Sequence, residues 1–301
     1  MTRTLIVGDV HGMTSELEAL LLEVDLRRGD HLVFVGDLVD KGPDSPGTVR
    51  FCRRLRETGQ RVTLVEGNHE EKHRRFRRTL AADRANAMKM TGAEEMLAIT
   101  EALSSEDVAF LESAVPFFEL PEHKGLVVHG GILPTMTVLP NPAWRAAGSK
   151  EEREQVQRLL RTRYVRGRPE TKLTIEYTFA LDQEQTKARV AKFGPDLDSV
   201  SSQVVHRSTR PAGAFVPLGQ EGPGDPFWAE IYDGRFGHTF FGHTPFPKAV
   251  ASVQSFPHAS GLDLGCVFGG RLATAILEAD CDPMFRSVPA RAAFATSLWS
   301  E

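Results

Sequence analysis

The sequence predicts an α/β fold with central strands buried on both faces, and three features of the chain lead to this class. Short apolar runs recur from the N-terminus onward, each ends close to a glycine, and helical patterns separate the early runs. Runs that are almost wholly apolar are typical of strands covered on both faces. The runs span residues 5–7, 32–35, 62–65, 126–128 and 239–241.

The segments between and after these runs carry the helical patterns, taken here in chain order. Ser15 and Glu18 match a capping box and precede leucines at helical spacing, so a helix is expected to begin there. Residues 83–114 are mainly helical in pattern, and a charge-rich helix is expected over residues 150–168. The chain is therefore expected to alternate strands with helices.

The domain organisation is expected to be simple. Residues 1–280 are predicted to form a single domain, with an insertion at about 145–238 that shapes the substrate groove. Further strands are expected around residues 261–264 and 271–277, and residues 281–301 are predicted to be a C-terminal tail.

The composition is that of an ordinary globular protein. Of the 301 residues, 25% are charged and 41% hydrophobic, which excludes wholesale disorder. A formal net charge of -4 gives no general reason to expect nucleic acid or an anionic membrane as a partner. The first apolar stretch stops at Gly8 and is too short for a secretory signal, and no run is long enough to span a membrane.

The cysteines indicate a reducing compartment. Cys52, Cys266 and Cys281 are odd in number and far apart in the chain. This spacing fits neither a disulfide framework nor a zinc site, so we expect reduced thiols in a cytoplasmic protein.

Potential metal ligands follow the predicted strands. At each of the five strand ends, at least one such ligand lies close to a glycine. Ligands collect where the carboxyl ends of strands meet, so we expect one cluster. Its candidate members are Asp9, His11, Asp37, Asn68, His129 and His243. His243 is preferred to His238, because His243 follows the apolar run that His238 opens.

This mixture of carboxylate, amide and imidazole suits divalent ions such as manganese or iron. Asp9 and His11 are two residues apart and could reach one ion, while Asp37 is the natural bridging group between two ions. The remaining candidates would complete the second site. A two-metal centre generates hydroxide at neutral pH and holds the attacking and leaving oxygens of a phosphoryl displacement.

Five ordered motifs carry a family resemblance. They are GDVHG at residues 8–12, GDLVDKG at 36–42, GNHE at 67–70, HGG at 129–131 and GHT at 242–244. Together they resemble the motifs of calcineurin-like metallophosphoesterases, closest to phosphoprotein phosphatases and bacterial symmetrical bis(5′-nucleosyl)-tetraphosphatases. The resemblance implies a β-sandwich flanked by helices, with two divalent ions, Mn²⁺ or Fe²⁺. It places Asp9, His11 and Asp37 on the first ion, and Asp37, Asn68, His129 and His243 on the second.

The same resemblance implies roles for residues around the metals. His69 would be the general acid, oriented by Asp40, and an imidazole held by a carboxylate suits that task. Lys41 stands where the family usually has a phosphate-binding arginine, so it lacks the bidentate fork. Arg163 is preferred to Arg161 as the arginine that completes the phosphate site.

Several features bear on the subgroup and on substrate. Glu66 stands where eukaryotic protein phosphatases usually carry arginine, whereas Glu70 and the glycine pair Gly130-Gly131 resemble the protein phosphatases. The resemblance to a subgroup is therefore mixed. Trp228 and Tyr232 are candidates either for stacking on an adenine or for packing. The basic run at residues 72–78 is expected to be a solvated helix face, with a rim that attracts phosphates or RNA as the alternative.

The predicted function is a dinuclear-metal phosphoesterase in which metal-activated hydroxide attacks in line. The favoured substrate is a dinucleoside polyphosphate such as diadenosine tetraphosphate, with phosphomonoesterase activity beside it. The alternative is a serine/threonine or tyrosine protein phosphatase; an RNA-end phosphatase or a silent scaffold is less favoured. The expected partner is thus a phosphorylated small molecule or a phosphoprotein, and no membrane is expected. A dinucleotide-binding Rossmann protein is disfavoured because the chain has neither its glycine fingerprint nor a Walker lysine after the first strand.

Overall fold

The computed structural model describes residues 3–168, 170–179, 200–245 and 252–296. Its strands are β1 (Thr4–Val7), β2 (His31–Phe34), β3 (Arg61–Leu64), β4 (Phe118–Leu120), β5 (Gly125–Val127), β6 (Tyr164–Val165), β7 (Glu170–Phe179), β8 (Val200–Arg210), β9 (Phe215–Val216), β10 (His238–Phe241), β11 (Gln254–Phe256), β12 (Ala259–Gly261), β13 (Asp263–Leu264), β14 (Arg271–Leu277) and β15 (Met284–Pro289). Its helices are α1 (Thr14–Glu23), α2 (Ser45–Glu57), α3 (Asn68–Ala82), α4 (Arg84–Ala87), α5 (Ala93–Ala102), α6 (Ser105–Glu112), α7 (Trp144–Ala147), α8 (Lys150–Leu159) and α9 (Trp228–Ile231), with a 3₁₀ turn at Pro121–His123.

The first sheet has the strand order β13-β14-β1-β2-β3, and β15 also pairs with β14. Strands β1, β2 and β3 are parallel, and the crossovers between them contain α1 and α2. Parallel strands joined by helices bring their carboxyl ends to one edge of the sheet. The loops that follow these three strands therefore meet.

The second sheet has the order β11-β12-β10-β5-β4, in which β5, β10 and β12 are parallel. The loops after β5 and β10 are joined by a hydrogen bond of 2.9 Å from the Gly242 amide to the His129 carbonyl. The two sheets therefore each contribute strand ends to one region.

The core between the sheets explains the apolar runs. Ile6, Val33, Val127 and Phe240 pack together between the two sheets. Their neighbours in the same strands face outward onto helices or loops, as Phe34 does in the first sheet. Because both faces of each central strand are covered, the runs are apolar at almost every position. Buried side chains of this kind contribute roughly 1.5–3 kcal/mol each.

Residues of the predicted insertion pack on the outer face of the second sheet. Leu159, Val165 and Trp228 share one apolar cluster with Val128 and Phe241. Trp228 is fully buried, and Tyr232 lies in the same cluster. Of the two roles open to this aromatic pair, the structure therefore supports packing. Residues 169 and 180–199 of the insertion lie outside the described part of the chain.

Two helix boundaries differ from the predictions. Helix α1 begins at Thr14 after the buried Met13, so Ser15 lies inside its first turn and the predicted capping box is wrong. The charged helix ends at Leu159 instead of residue 168, because Val165 enters strand β6 and pairs with β9. Tertiary pairing thus overrides a local helical pattern.

The predicted C-terminal tail contains a strand. β15 pairs antiparallel with β14 over six positions, from Arg271 opposite Pro289 to Ile276 opposite Met284. The sequence did not indicate this edge strand because Arg286 and Ser287 interrupt its apolar residues, and none of its residues is buried. Residues 297–301 of that tail lie outside the described residues. Among the helices that are described, none has the length and apolarity needed to cross a membrane.

Candidate metal centre

The turns after the strands hold ligand candidates in an unusual backbone conformation. His11, Asp37 and His243 have positive φ angles of 46°, 53° and 67°. Left-handed conformations in residues other than glycine are strained and persist where the surroundings fix them, often at functional sites. All three residues lie in loops that follow parallel strands, β1, β2 and β10.

Two glycines permit the close approach of these loops. A Cβ atom on Gly242 would lie 1.9 Å from Oδ1 of Asp9. Gly36 has a φ of 111°, and a Cβ there would lie 2.7 Å from the Cα of Gly67. Side chains at these positions would push the strand ends apart.

Asp37 lies at the centre of the cluster. Its Oδ2 is 3.3 Å from Nε2 of His129, 3.6 Å from Nε2 of His11 and 3.9 Å from Nε2 of His69. Asp37 belongs to two groups whose potential ligand atoms lie within 4.8 Å of one another. One group adds His11 and His69, and the other adds His129 and His243. This is the placement expected of a group shared between two ions.

The other predicted ligands join the same cluster. Oδ2 of Asp9 lies 4.0 Å from Nε2 of His11 and accepts a hydrogen bond of 3.0 Å from the His243 amide. Oδ1 of Asn68 lies 3.0 Å from Nε2 of His129. The structure therefore brings all six sequence-predicted metal ligands together.

The imidazoles are oriented as metal ligands. Nδ1 of His11 is 2.9 Å from the Val39 carbonyl, and Nδ1 of His129 is 2.9 Å from the Val35 carbonyl. Each Nδ1 must donate its proton to that carbonyl, which leaves the Nε2 lone pair for a metal. Nε2 of His243 is buried and has no hydrogen-bond partner, so it too fits a ligand.

The charges of the cluster also fit a cation. Burial, followed by the Lys41 ammonium, lowers the pKa of His11 to about 3. Burial and the Arg163 guanidinium hold the pKa of His243 well below its usual range, so both rings are neutral. Burial raises the pKa of Asp37, but His129 and His69 outweigh it, and the net pKa lies well below the usual range. Neutral imidazoles around an ionised carboxylate are the forms that bind divalent metals.

The pKa of Asp9 is shifted in the opposite direction from that of Asp37. Burial and the neighbouring carboxylates of Asp263 and Asp37 raise its pKa well above the ordinary value. Asp263 is itself buried and has a raised pKa, mainly for the same reason. Crowded acids of this kind are stabilised in the ionised form by a bound cation.

His69 is held by a carboxylate, as predicted. Its Nδ1 lies 2.6 Å from Oδ2 of Asp40, and the other Asp40 oxygen lies 2.5 Å from Nε2 of His73. Burial raises the pKa of Asp40, but the hydrogen bonds to the two histidines outweigh it and hold the pKa well below its usual range. Because Nδ1 is engaged, the Nε2 of His69 is the atom available for chemistry.

Lys41 and Arg163 both border the cluster. The Lys41 ammonium donates to Nε2 of His11 at 2.9 Å, and Nη2 of Arg163 donates to the His243 carbonyl at 2.8 Å. Both line a cavity of about 670 Å³. Arg161 instead pairs with Glu71 at 2.7 Å. The geometry therefore favours Arg163 over Arg161 for contact with a phosphate.

The remaining candidate residues either lie outside the cluster or form ion pairs with neighbouring side chains. Nε2 of His238 lies 2.9 Å from Oγ of Ser260, and His238 belongs to neither of the two groups of potential metal ligands. In the basic run, Arg74 pairs with Glu66 and Arg77 with Glu112, while Arg75 and Arg78 are exposed. Glu66 also pairs with Arg145 at 2.8 Å, so its negative charge is used inside the protein.

The supporting roles of Glu70, His73 and Asp263 were not predicted from the sequence. Glu70 accepts hydrogen bonds from the amides of Asp37, Leu38 and Gly67, at 2.7, 2.8 and 2.9 Å. It thereby fixes the turn that presents Asp37. The other two residues are His73 and Asp263. His73 could have been indicated by its spacing of four residues from His69 on α3, and Asp263 by its position just beyond β12.

Two packed sheets with a cluster of potential metal ligands at their strand ends fit a metal-dependent phosphoesterase. The chain belongs to the calcineurin-like phosphoesterase family, whose model matches residues 2–189. It is therefore a hydrolase acting on phosphate esters or anhydrides, and the predicted family and fold class are confirmed.

Two named relatives and one solved structure show which members of the family this chain is similar to. The chain is 28% identical over 289 residues to the symmetrical bis(5′-nucleosyl)-tetraphosphatase of Shewanella baltica strain OS223, covering 91% of this chain and 94% of that protein. It is 27% identical over 285 residues to the enzyme of the same name from Shewanella oneidensis, with the same coverage. A solved structure described as a candidate diadenosine tetraphosphatase is 25% identical, with a TM-score of 0.57 over 96% of this chain and 93% of that chain.

Proposed function

We propose that the protein cleaves dinucleoside tetraphosphates such as diadenosine tetraphosphate, with phosphomonoesterase activity beside this reaction. The observation that carries the proposal is the cavity of about 670 Å³ beside the Asp37 cluster. Its wall combines the cations Lys41 and Arg163 with apolar side chains, which suits a ligand with both phosphates and bases. The names of the full-length relatives agree with this substrate class.

We propose that two divalent ions occupy the cluster, with Mn²⁺ favoured and Fe²⁺ as the alternative. Asp9, His11 and Asp37 would hold the first ion. Asp37, Asn68, His129 and His243 would hold the second. When bound, such ions acidify water and neutralise charge on the phosphate.

The proposed role of His69 is to donate a proton to the leaving oxygen. In the reaction, hydroxide adds to phosphorus, the bond to the leaving oxygen breaks, and that oxygen takes the proton from Nε2. Asp40 holds Nδ1 and so stabilises the charged imidazole before the transfer. A positioned acid of this type contributes roughly 10²–10⁴-fold to the rate.

Lys41 and Arg163 are proposed to bind the substrate phosphates. The Lys41 ammonium and a metal ion cannot share Nε2 of His11, so Lys41 would turn toward the cavity when the metal binds. Arg163 is held in place by the His243 carbonyl, which leaves its other donors for phosphate oxygens.

A cytoplasmic location is also proposed, because Cys52, Cys266 and Cys281 are free thiols.

The test is steady-state hydrolysis by metal-stripped protein that has been reloaded with Mn²⁺. Diadenosine tetraphosphate and a phosphoserine peptide are compared side by side, with Asp37→Asn as the blank. A larger kcat/KM for the dinucleotide is expected. A larger value for the peptide would overturn the proposal in favour of a protein phosphatase, and turnover of neither by the metal-loaded protein would exclude both.

A further inference from the structure

The cavity beside the metal cluster has a wall made of two kinds of side chain. The lining includes the polar groups Lys41, Arg163 and Glu221 and the apolar groups Leu218, Phe268 and Phe294. Phosphates account for the two cations, but they leave unexplained the exposed ring of Phe294 and the Glu221 oxygen that has no hydrogen-bond partner. A ligand for this cavity therefore has a second part that is flat and that can bond to a carboxylate.

The aromatic part of the wall is held next to the cations. Nζ of Lys41 lies 5.4 Å from the centre of the Phe268 ring. Phe294 is 50% exposed, although its amide is fixed by a hydrogen bond of 2.9 Å to the Val267 carbonyl. An exposed ring on a fixed backbone offers a face on which a nucleobase can stack.

Glu221 is the unexplained carboxylate. It lines the cavity, and its Oε2 is buried without a hydrogen-bond partner. Glu221 and Arg163 line the same cavity, and the Arg163 guanidinium donates to the His243 carbonyl, so Glu221 lies at the cavity beside the metal-ligand cluster. Leaving a buried carboxylate oxygen without a donor is unfavourable, so a ligand that supplies the donor gains affinity.

The chemistry of a carboxylate distinguishes between purines. An ionised carboxylate only accepts hydrogen bonds, and it has two oxygens with which to do so. The Watson–Crick edge of guanine presents two adjacent N–H donors, at N1 and at the 2-amino group. Adenine presents one amino donor beside an acceptor nitrogen, which would face the second carboxylate oxygen unfavourably.

We infer that the cavity is a nucleobase subsite in which Phe294 stacks on the base and Glu221 selects guanine over adenine. The inference rests on the proposed function, because it places the base of a substrate whose phosphate lies at the metal cluster. The substrate it predicts is a guanine-containing dinucleoside polyphosphate.

The test compares kcat/KM for diguanosine and diadenosine tetraphosphate in the full-length, Mn²⁺-loaded protein. The wild type is expected to favour the guanine substrate by about 10-fold, as one well-matched base edge provides. The Glu221→Gln variant has one donor and one acceptor, which complement adenine, so its ratio should fall to one or reverse. Glu18→Gln removes an exposed carboxylate on α1 and should keep the wild-type ratio.

The ratio of the two kcat/KM values distinguishes a defect in folding or metal binding from a failure of the inference. A folding or metal defect lowers both constants in the same preparation and leaves their ratio unchanged. Equal constants in the wild type, or a ratio unaffected by Glu221→Gln, would overturn the inference while the proposed function stands. Turnover of 4-nitrophenyl phosphate without turnover of either dinucleotide would instead overturn the proposed function.

A second variant tests the stacking wall. Phe294→Ala should raise KM for both dinucleotides by about 10-fold, because loss of one stacking ring weakens binding of either base. Leu22→Ala is the matched control, since Leu22 is an apolar residue on α1 that is 81% exposed. An unchanged KM in Phe294→Ala would exclude Phe294 from the subsite.

Discussion

A single added methyl group at Gly242 should disable the metal centre. The φ of Gly242 lies outside the left-handed range, so its backbone accepts alanine, but the new Cβ would lie 1.9 Å from Oδ1 of Asp9 and 2.6 Å from Cγ2 of Val35. Ordinary contact begins at about 3.4 Å, so the Asp9 carboxylate would have to move by about 1.5 Å. Such a move would break its hydrogen bond to the His243 amide, now 3.0 Å long.

The effect on activity should exceed the effect on stability. Overpacking typically costs about 1–3 kcal/mol, which is less than the roughly 5–15 kcal/mol by which proteins are stable, so Gly242→Ala should fold. A misplacement of about 1 Å at a catalytic site can cost about 100-fold in rate. We therefore expect a loss of kcat of at least about 100-fold and weaker binding of one metal ion.

The assay measures metal content after Mn²⁺ loading, kcat on 4-nitrophenyl phosphate and the thermal midpoint. Gly29→Ala is the control, because a Cβ there has no neighbour within 4 Å among the described residues. A folded Gly242→Ala protein with two bound ions and the kcat of the wild type would refute the reasoning.

Three further variants test individual residues. Asp37→Asn should abolish turnover and weaken metal binding at both sites, because Asp37 belongs to both ligand groups; normal metal content with full activity would contradict this. His69→Asn should keep metal content near normal and lower turnover by about 10²–10⁴-fold, most for poor leaving groups. Equal losses on 4-nitrophenyl phosphate and an alkyl phosphate would mean that His69 is not the acid. Lys41→Arg should lower the inhibition constant of inorganic phosphate by adding a bidentate donor, and an unchanged constant would show that residue 41 does not contact phosphate.

The positions of the ligand cluster could be predicted from the sequence for a definite reason. Asp9, Asp37, His129 and His243 each follow an apolar strand, and parallel strands bring their carboxyl ends together. Local sequence therefore contained the information about which side chains would meet.

Other parts of the site depend on long-range packing that local sequence does not contain. Arg161 and Arg163 are two residues apart, and only the end of α8 and the pairing of β6 decide which faces the cavity. The four-residue spacing of His69 and His73 is visible in the sequence, but the contact of His73 with Asp40 and the effect of Asp263 on the pKa of Asp9 depend on the folded structure. Strand β15 was not predicted because Arg286 and Ser287 interrupt its apolar residues, so no apolar run indicates it.

The pairing of the first strand with one of the last has a consequence for the newly made chain. β1 is hydrogen-bonded to β14, and the hydrogen bond between Asp9 and His243 joins residues 234 positions apart. A chain still attached to the ribosome thus carries the first of its proposed metal ligands long before the other proposed ligands are synthesised. Contacts of such long range form late in folding. We therefore expect an incomplete chain to lack hydrolytic activity until the C-terminal strands have emerged.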